Sequence, residues 1–163
     1  MPAQYAGEFS LDTCILLTSG GIRVDLKNSV IQLDIFEEIY NNGITGVISV
    51  ADTNGIIQNA QVIGQDYLRL KISTPGLDED DSKKASIDFV DNPFVITKIN
   101  ARFDVSKSGE VFQLSFMSPE VLYNYRLRLS RTFTETNSNI VKNILRSPNL
   151  IDSTKKLHIE PAF

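Results

Sequence analysis

The chain has 163 residues, of which 42% are hydrophobic, which is enough for one domain with a sizeable core. Its net charge of −4 argues against a general nucleic-acid binder, and its single cysteine excludes an internal disulfide. The charge is uneven, because residues 1–90 carry 6 basic and 13 acidic side chains whereas residues 91–163 carry 10 and 7. This asymmetry suggests two faces with different partners.

The N-terminal stretch MPAQYAGEFS does not have the basic and apolar regions of a signal peptide. No apolar run approaches the ~18 residues that a membrane helix needs. A location in a cytoplasm, or in a particle assembled in one, is therefore expected, with no membrane partner. Cys14 lies in the apolar run TCILLT and is predicted to be a buried small hydrophobe rather than a catalytic thiol.

Strand signals dominate up to residue 117. The turn sequence TSGG separates residues 11–18 from residues 21–27, and this spacing predicts a hairpin. The next segment, VIQLDIFEEIY, places Ile31, Leu33 and Ile35 on one face and then loses the alternation at Phe36. A bulge at Phe36 would return Ile39 to the inner face.

Further alternating segments follow, and the clearest hairpin is formed by KINARFDV and VFQLSF. The alternation predicts inward side chains at Ile99, Ala101, Phe103, Val105, Phe112, Leu114 and Phe116. Residues 73–86 contain Pro-Gly and four consecutive acids, Asp78–Asp81, which favour a solvated loop over a calcium site. Seven or eight short strands in all favour a mainly β fold, an antiparallel β-barrel or sandwich, over a parallel α/β fold.

The last third of the chain predicts a short helical extension. Ser118 and Pro119 suit the start of a helix over 119–125. The segment YRLRLSRTF alternates again and predicts an extended stretch with a basic face. A second helix is then expected after Thr136 or Asn137, with Pro148 ending it. Its apolar stripe consists of Ile140, Val141, Ile144 and Leu145.

The residues give no sign of an enzyme, a cofactor or a metal site. His158 is the only histidine, no phosphate-binding loop is present, and no Cys/His pair has zinc spacing. A basic cluster in the last third is either a contact surface for an acidic partner or an ordinary solvated face. It consists of Arg126, Arg128, Arg131, Lys142 and Arg146.

Three segments together give a resemblance to a known family. They are VIQLDIFEEIYNNGITGVISVADTNGI, NAQVIGQDYLRLKISTPG, and the stretch LSFMSPEVLYNYRLRLSRTFTETNSNIVKNIL. In order and spacing the chain resembles the N-terminal part of baseplate hub proteins of contractile-tail bacteriophages, which are related to the hubs of type VI secretion spikes. The resemblance spans residues 10–146.

The resemblance implies a tube-like β-barrel domain over 1–117 and a helix-containing extension over 118–163 that begins a second hub domain. Such hubs form a homo-oligomeric ring between the tail tube and the central spike, and DNA passes through the channel without specific binding. The tape-measure protein is a further candidate partner. A trimer is usual for hubs with two barrels, whereas one barrel per subunit would need a hexamer. The expected location is the virion tail baseplate, reached from the host cytoplasm.

Under the hub hypothesis, the candidate partner interface consists of Arg126, Arg128, Arg131, Ile140 and Ile144. The arginines are expected to face a neighbouring protein rather than the channel. A tail tube or tube-initiator ring protein is the main alternative, because such a protein needs only the barrel. A carbohydrate-binding sandwich is less favoured because the chain has no Trp, and an enzyme is the least favoured reading.

Overall fold

The computed structural model describes residues 9–52, 55, 59–74, 86–106 and 109–159. Strand accounts for 47% and helix for 15% of these residues, so the protein is mainly β, as predicted. The elements are β1 Ser10–Leu17, β2 Arg23–Asp25, β3 Val30–Phe36, β4 Thr45–Asp52, β5 Tyr67–Ser73, β6 Ser86–Ser106, β7 Gly109–Met117, α1 Pro119–Arg126 and α2 Asn137–Arg146. Neither of these two helices has the length and apolar character that a membrane crossing requires.

All seven strands belong to one antiparallel sheet in the order β2-β1-β5-β6-β7-β4-β3. The predicted hairpin of β1 and β2 is confirmed. β2 and β3 lie at opposite edges of the sheet, yet only residues 26–29 join them. So short a connection requires the two edges to approach each other, and the sheet accordingly curls into a half-barrel. The strand pairings within the described part of the chain do not join β2 to β3.

The core lies on the inner face of this curled sheet. β4 and β7 alternate between buried and half-buried residues, as the sequence of β7 predicts, and Phe112, Leu114 and Phe116 are at most 1% exposed. The ring of Phe94 packs between two other rings, with centroid distances of 4.4 Å to Phe89 and 4.8 Å to Phe116. Aromatic and aliphatic burial on one face is therefore the main source of stability for the sheet.

Cys14 belongs to this core, with 0% of its surface exposed. Burial raises the pKa of its thiol to about 12, and the negative charge of Asp25 acts in the same direction. The thiol therefore stays protonated at neutral pH and is a poor nucleophile. The prediction that Cys14 is a buried small hydrophobe is confirmed.

The prediction for β3 is wrong in one respect. The bulge lies between Val30 and Gln32, not at Phe36, which is the last residue of the strand. The early bulge changes the phase of the strand, so that Ile31 is 60% exposed while Leu33 packs against the core. Ile39 lies beyond the strand and is 92% exposed instead of facing inward.

β6 also departs from the predicted alternation. It is one strand of 21 residues, longer than the segment KINARFDV, and its register against β7 shifts between Ile99 and Ala101. A shift of one residue exchanges the two faces of a strand. Phe103, which strict alternation would turn inward, is accordingly 61% exposed.

A buried carboxylate joins two loops at one end of the sheet. Asp66 is fully buried, and its side chain accepts N–H hydrogen bonds from Ser19 at 2.9 Å, Ile63 at 2.9 Å and Gly64 at 3.1 Å. These bonds compensate the removal of the carboxylate from water. Gly64 and Asp66 belong to the segment NAQVIGQDYLRLKISTPG of the family resemblance. In this fold they connect the β1–β2 turn to the segment before β5.

Candidate partner-binding interface

The extension is fixed to the sheet at its first residue. Ser118 is buried and lies at the N-cap position of α1, as predicted. Its hydroxyl does not cap the helix, but accepts the Ile44 N–H at 2.7 Å and donates to the Ile44 carbonyl at 3.1 Å. The start of α1 is therefore bonded to the residue that precedes β4.

Close backbone packing at Gly43 supports the same junction. A methyl group on Gly43 would lie 2.6 Å from Cγ2 of Val121, a distance that real contacts do not reach. The side chain of Asn42 also donates to the carbonyl of Glu120 at 3.3 Å. Asn42 and Gly43 thus hold the start of α1 against the segment before β4.

Glu120 anchors the last part of the chain. Only 6% of its surface is exposed, and its carboxylate accepts hydrogen bonds from Ser153 Oγ at 2.8 Å and from Lys155 Nζ at 3.0 Å. Burial alone would raise the pKa of Glu120, but the hydrogen bonds from Lys155 and Ser153 outweigh it and lower the pKa. The partners of Glu120 lie more than 30 residues away along the chain, so they could not be predicted from the sequence.

The tail after α2 has no helix or strand among the described residues, but hydrogen bonds hold it to the rest of the chain. The guanidinium of Arg146 donates to the carbonyls of Ser153 and Lys155, and Thr154 donates to the Asn92 side chain of β6 at 2.8 Å. Arg146 is therefore occupied within the chain. Of the predicted basic cluster, it is the member least able to contact a partner.

α2 follows the N-cap Thr136, as predicted, but none of its residues is buried. Ile140, Ile144 and Leu145 are only half-buried, and Val141 is 47% exposed. An amphipathic helix usually buries its apolar stripe against a core. Within the described part of the chain this stripe remains incompletely covered.

The three arginines of the predicted interface are exposed, and none of them forms an ion pair with a described residue. Arg126 is the last residue of α1 and not part of an extended stretch, so the predicted alternating face begins too early. Arg128 and Arg131 lie in residues 127–136, which have no regular secondary structure. The predicted interface thus joins a helix end, a coil and a second helix.

A groove that the sequence does not predict lies beside α1. Two adjoining cavities of about 600 and 300 Å³ share Tyr67, Pro119 and Tyr123, and Arg126 lines the larger one. The two tyrosines are 45% and 43% exposed. They come from β5 and α1, which are far apart in the chain, so no local pattern could have indicated the groove.

The β3–β4 turn, residues 37–41, was also missed as a surface feature. Ile39 is 92% and Tyr40 is 96% exposed, and both follow the exposed Glu37 and Glu38. Asn41 holds the turn, because its N–H donates to the Glu38 carbonyl at 3.1 Å and its side chain to the Glu38 carboxylate at 2.9 Å. The turn thus exposes two large apolar side chains beside Glu37 and Glu38, and the hydrogen bonds of Asn41 fix its conformation.

Other kinds of site find little support in the described residues. They contain no group of three or more His, Cys, Asp or Glu side chains placed to hold a metal ion, and His158 is exposed. The acidic run Asp78–Asp81 lies outside the described residues. A scan against protein-family models and a search of curated proteins give no match to this chain.

Proposed function

We propose that the chain is a structural, non-enzymatic virion protein, a baseplate hub subunit of a contractile phage tail. The family resemblance over residues 10–146 is the basis of this proposal. A mainly β, curled sheet followed by a helical extension agrees with the tube-like domain and extension that the resemblance implies.

The observation that carries an assembly role is the incompletely covered apolar stripe of α2 next to exposed arginines. Exposed apolar side chains rimmed by charges are typical of surfaces that bind another protein. Arg126, Arg128, Arg131, Ile140 and Ile144 form the interface in this proposal. Its partner is a neighbouring subunit or another baseplate protein.

In the assembled ring, the half-barrel closes into a tube-like barrel, and ring closure protects the sheet edges. The ring joins the tail tube to the central spike, with the tape-measure protein as a further candidate partner, and DNA passes through the channel. The wall of the channel is neutral or acidic, because the arginines face neighbouring proteins. The extension favours a hub over a tail tube or tube-initiator protein, which needs only the barrel.

The test measures the mass of the purified protein in solution, together with the variant Ile144→Asp. We expect a trimeric or hexameric ring for the natural sequence and dissociated subunits with an unchanged unfolding transition for the variant. The control Asn139→Asp adds the same charge at an exposed position of the same helix and should leave the ring intact. A monomeric natural protein, or an equal loss of assembly and folding in Ile144→Asp, contradicts the proposal.

A further inference from the structure

We infer that the partner on the α2 stripe is a second copy of this chain, and that the segment it inserts is the β3–β4 turn, residues 37–41. This inference rests on the proposed function as an assembly protein and names the contact that holds the copies together. It is carried by two surfaces of one chain that match in both apolar character and charge.

The first surface is the turn itself. Ile39 and Tyr40 are the two most exposed large apolar side chains of the described residues. Such side chains are costly to leave in water, at about 25 cal/mol for each Å² of apolar surface. The hydrogen bonds of Asn41 to Glu38 fix the turn before any partner binds, so little conformational entropy is lost on docking.

The second surface is α2 and the coil before it. The stripe presents Ile140, Val141 and Ile144, and the exposed Lys142 lies on the same helix. Arg128 and Arg131 add positive charge from the preceding coil. The turn carries apolar side chains beside Glu37 and Glu38, whereas the segment that carries the apolar stripe, residues 127–146, is mainly basic. The charges are therefore opposite, which favours this pairing over turn-to-turn or helix-to-helix contacts.

The two surfaces belong to different segments of the subunit. The turn joins β3 and β4 at one edge of the sheet. The stripe lies on α2, which belongs to the extension after β7. A contact between two different patches is heterologous, and repetition of such a contact produces a closed ring or an open filament.

The test uses two single-site variants, Tyr40→Cys on the turn and Val141→Cys on α2. Cys14 does not compete, because it is fully buried and its thiol remains protonated at neutral pH. The variants are purified separately, one with a mass label, then mixed under mild oxidation and analysed by non-reducing electrophoresis and mass spectrometry. Asn28→Cys, exposed in the turn before β3, is the matched control.

We expect disulfide-linked dimers that join Tyr40→Cys to Val141→Cys in the mixture, and loss of the product when either is replaced by Asn28→Cys. Adding Glu37→Lys to the turn variant should lower the yield, and adding Lys142→Glu to the helix variant should restore it. Self-linked dimers alone, or no cross-link in a protein that is still oligomeric, overturn the inference but leave the proposed function standing. A monomeric protein without cross-links overturns both.

Discussion

The sheet and the extension, residues 118–159, are stabilised in different ways. The inner face of the sheet is a continuous apolar core, in which most side chains are fully buried. In the extension only Val121 and Ile151 are buried apolar residues, and the attachment relies on hydrogen bonds at Ser118 and Glu120. Apolar burial is a sum over many contacts, whereas the extension depends on a few polar groups. The extension should therefore loosen while the sheet remains folded.

The largest expected effect is on the sheet. Phe116→Ala removes a ring that is 1% exposed and packs on Phe94. We expect a loss of about 3–5 kcal/mol in the free energy of unfolding, because a cavity remains in the core. Urea denaturation followed by circular dichroism measures this loss.

Phe103→Ala is the matched control, because the same residue type in the neighbouring strand β6 is 61% exposed. We expect a change within about 0.5 kcal/mol, as for other surface positions. Similar losses in the two variants would show that the register shift in β6 does not turn Phe103 outward.

The second prediction concerns the junction between sheet and extension. Gly43→Ala places a methyl group against Val121 and should displace α1, at a cost of about 1–3 kcal/mol for overpacking. In Gly43→Ala, hydrogen exchange should become faster in residues 119–126 but stay unchanged in β7, which would show that the effect is local. Gly20→Ala is the control, since its methyl group would meet only Thr18 Oγ1 at 3.8 Å. Equal exchange rates of residues 119–126 in Gly43→Ala and Gly20→Ala would contradict close packing between Gly43 and Val121.

Much of the sheet could be predicted because local alternation determines which face is buried. Phe112, Leu114 and Phe116 of β7 face the core as their spacing indicates. The prediction failed where a bulge changed the phase, at Ile31 and Phe103. A bulge is set by the pairing with a neighbouring strand, and a single strand sequence contains no record of it.

In the extension, too, local features could be predicted and contacts between distant segments could not. Ser118, Thr136 and Pro148 marked the helix boundaries correctly, because capping and proline effects are local. The bonds from Glu120 to Ser153 and Lys155 depend on how distant segments meet, so they appear only in three dimensions. The exposure of Ile39 was missed for a further reason, because an apolar residue is expected to be buried and the predicted bulge turned it inward; no prediction covered the exposed Tyr40.

The third prediction, with a smaller effect, compares the buried hydrogen bonds of Glu120 with an exposed ion pair. Glu120→Gln removes the charge that holds Lys155 and Ser153, and we expect a loss of about 1–2 kcal/mol from charge-assisted hydrogen bonds. Hydrogen exchange and limited proteolysis should show release of residues 147–159. The control is Asp88→Asn, which breaks an exposed ion pair with Lys71 and should change stability by less than about 1 kcal/mol. An unaltered tail in Glu120→Gln would contradict the anchoring role.

The smallest effect is a dependence of the extension on pH. The pKa of Glu120 in the folded chain is lowered from its ordinary value of 4.5, so its contribution to stability is fully present above that pH. The contribution is lost as the pH falls through the lower, folded-state pKa.

We expect hydrogen exchange of residues 147–159, corrected for intrinsic rates, to accelerate as the pH falls below 4.5, before the sheet core exchanges. The pKa values of Asp12 and Asp88, both exposed on the sheet, are also lowered, chiefly by hydrogen bonds from the Ser73 side chain and the Val90 N–H respectively. Because both carboxylates lie in solvent, their effect on the stability of the sheet in acid is small. Glu120→Gln distinguishes the two effects, because it should abolish the pH dependence of the tail and leave that of the sheet unchanged. A tail whose protection stays constant in the natural sequence over this range would show that Glu120 does not hold it.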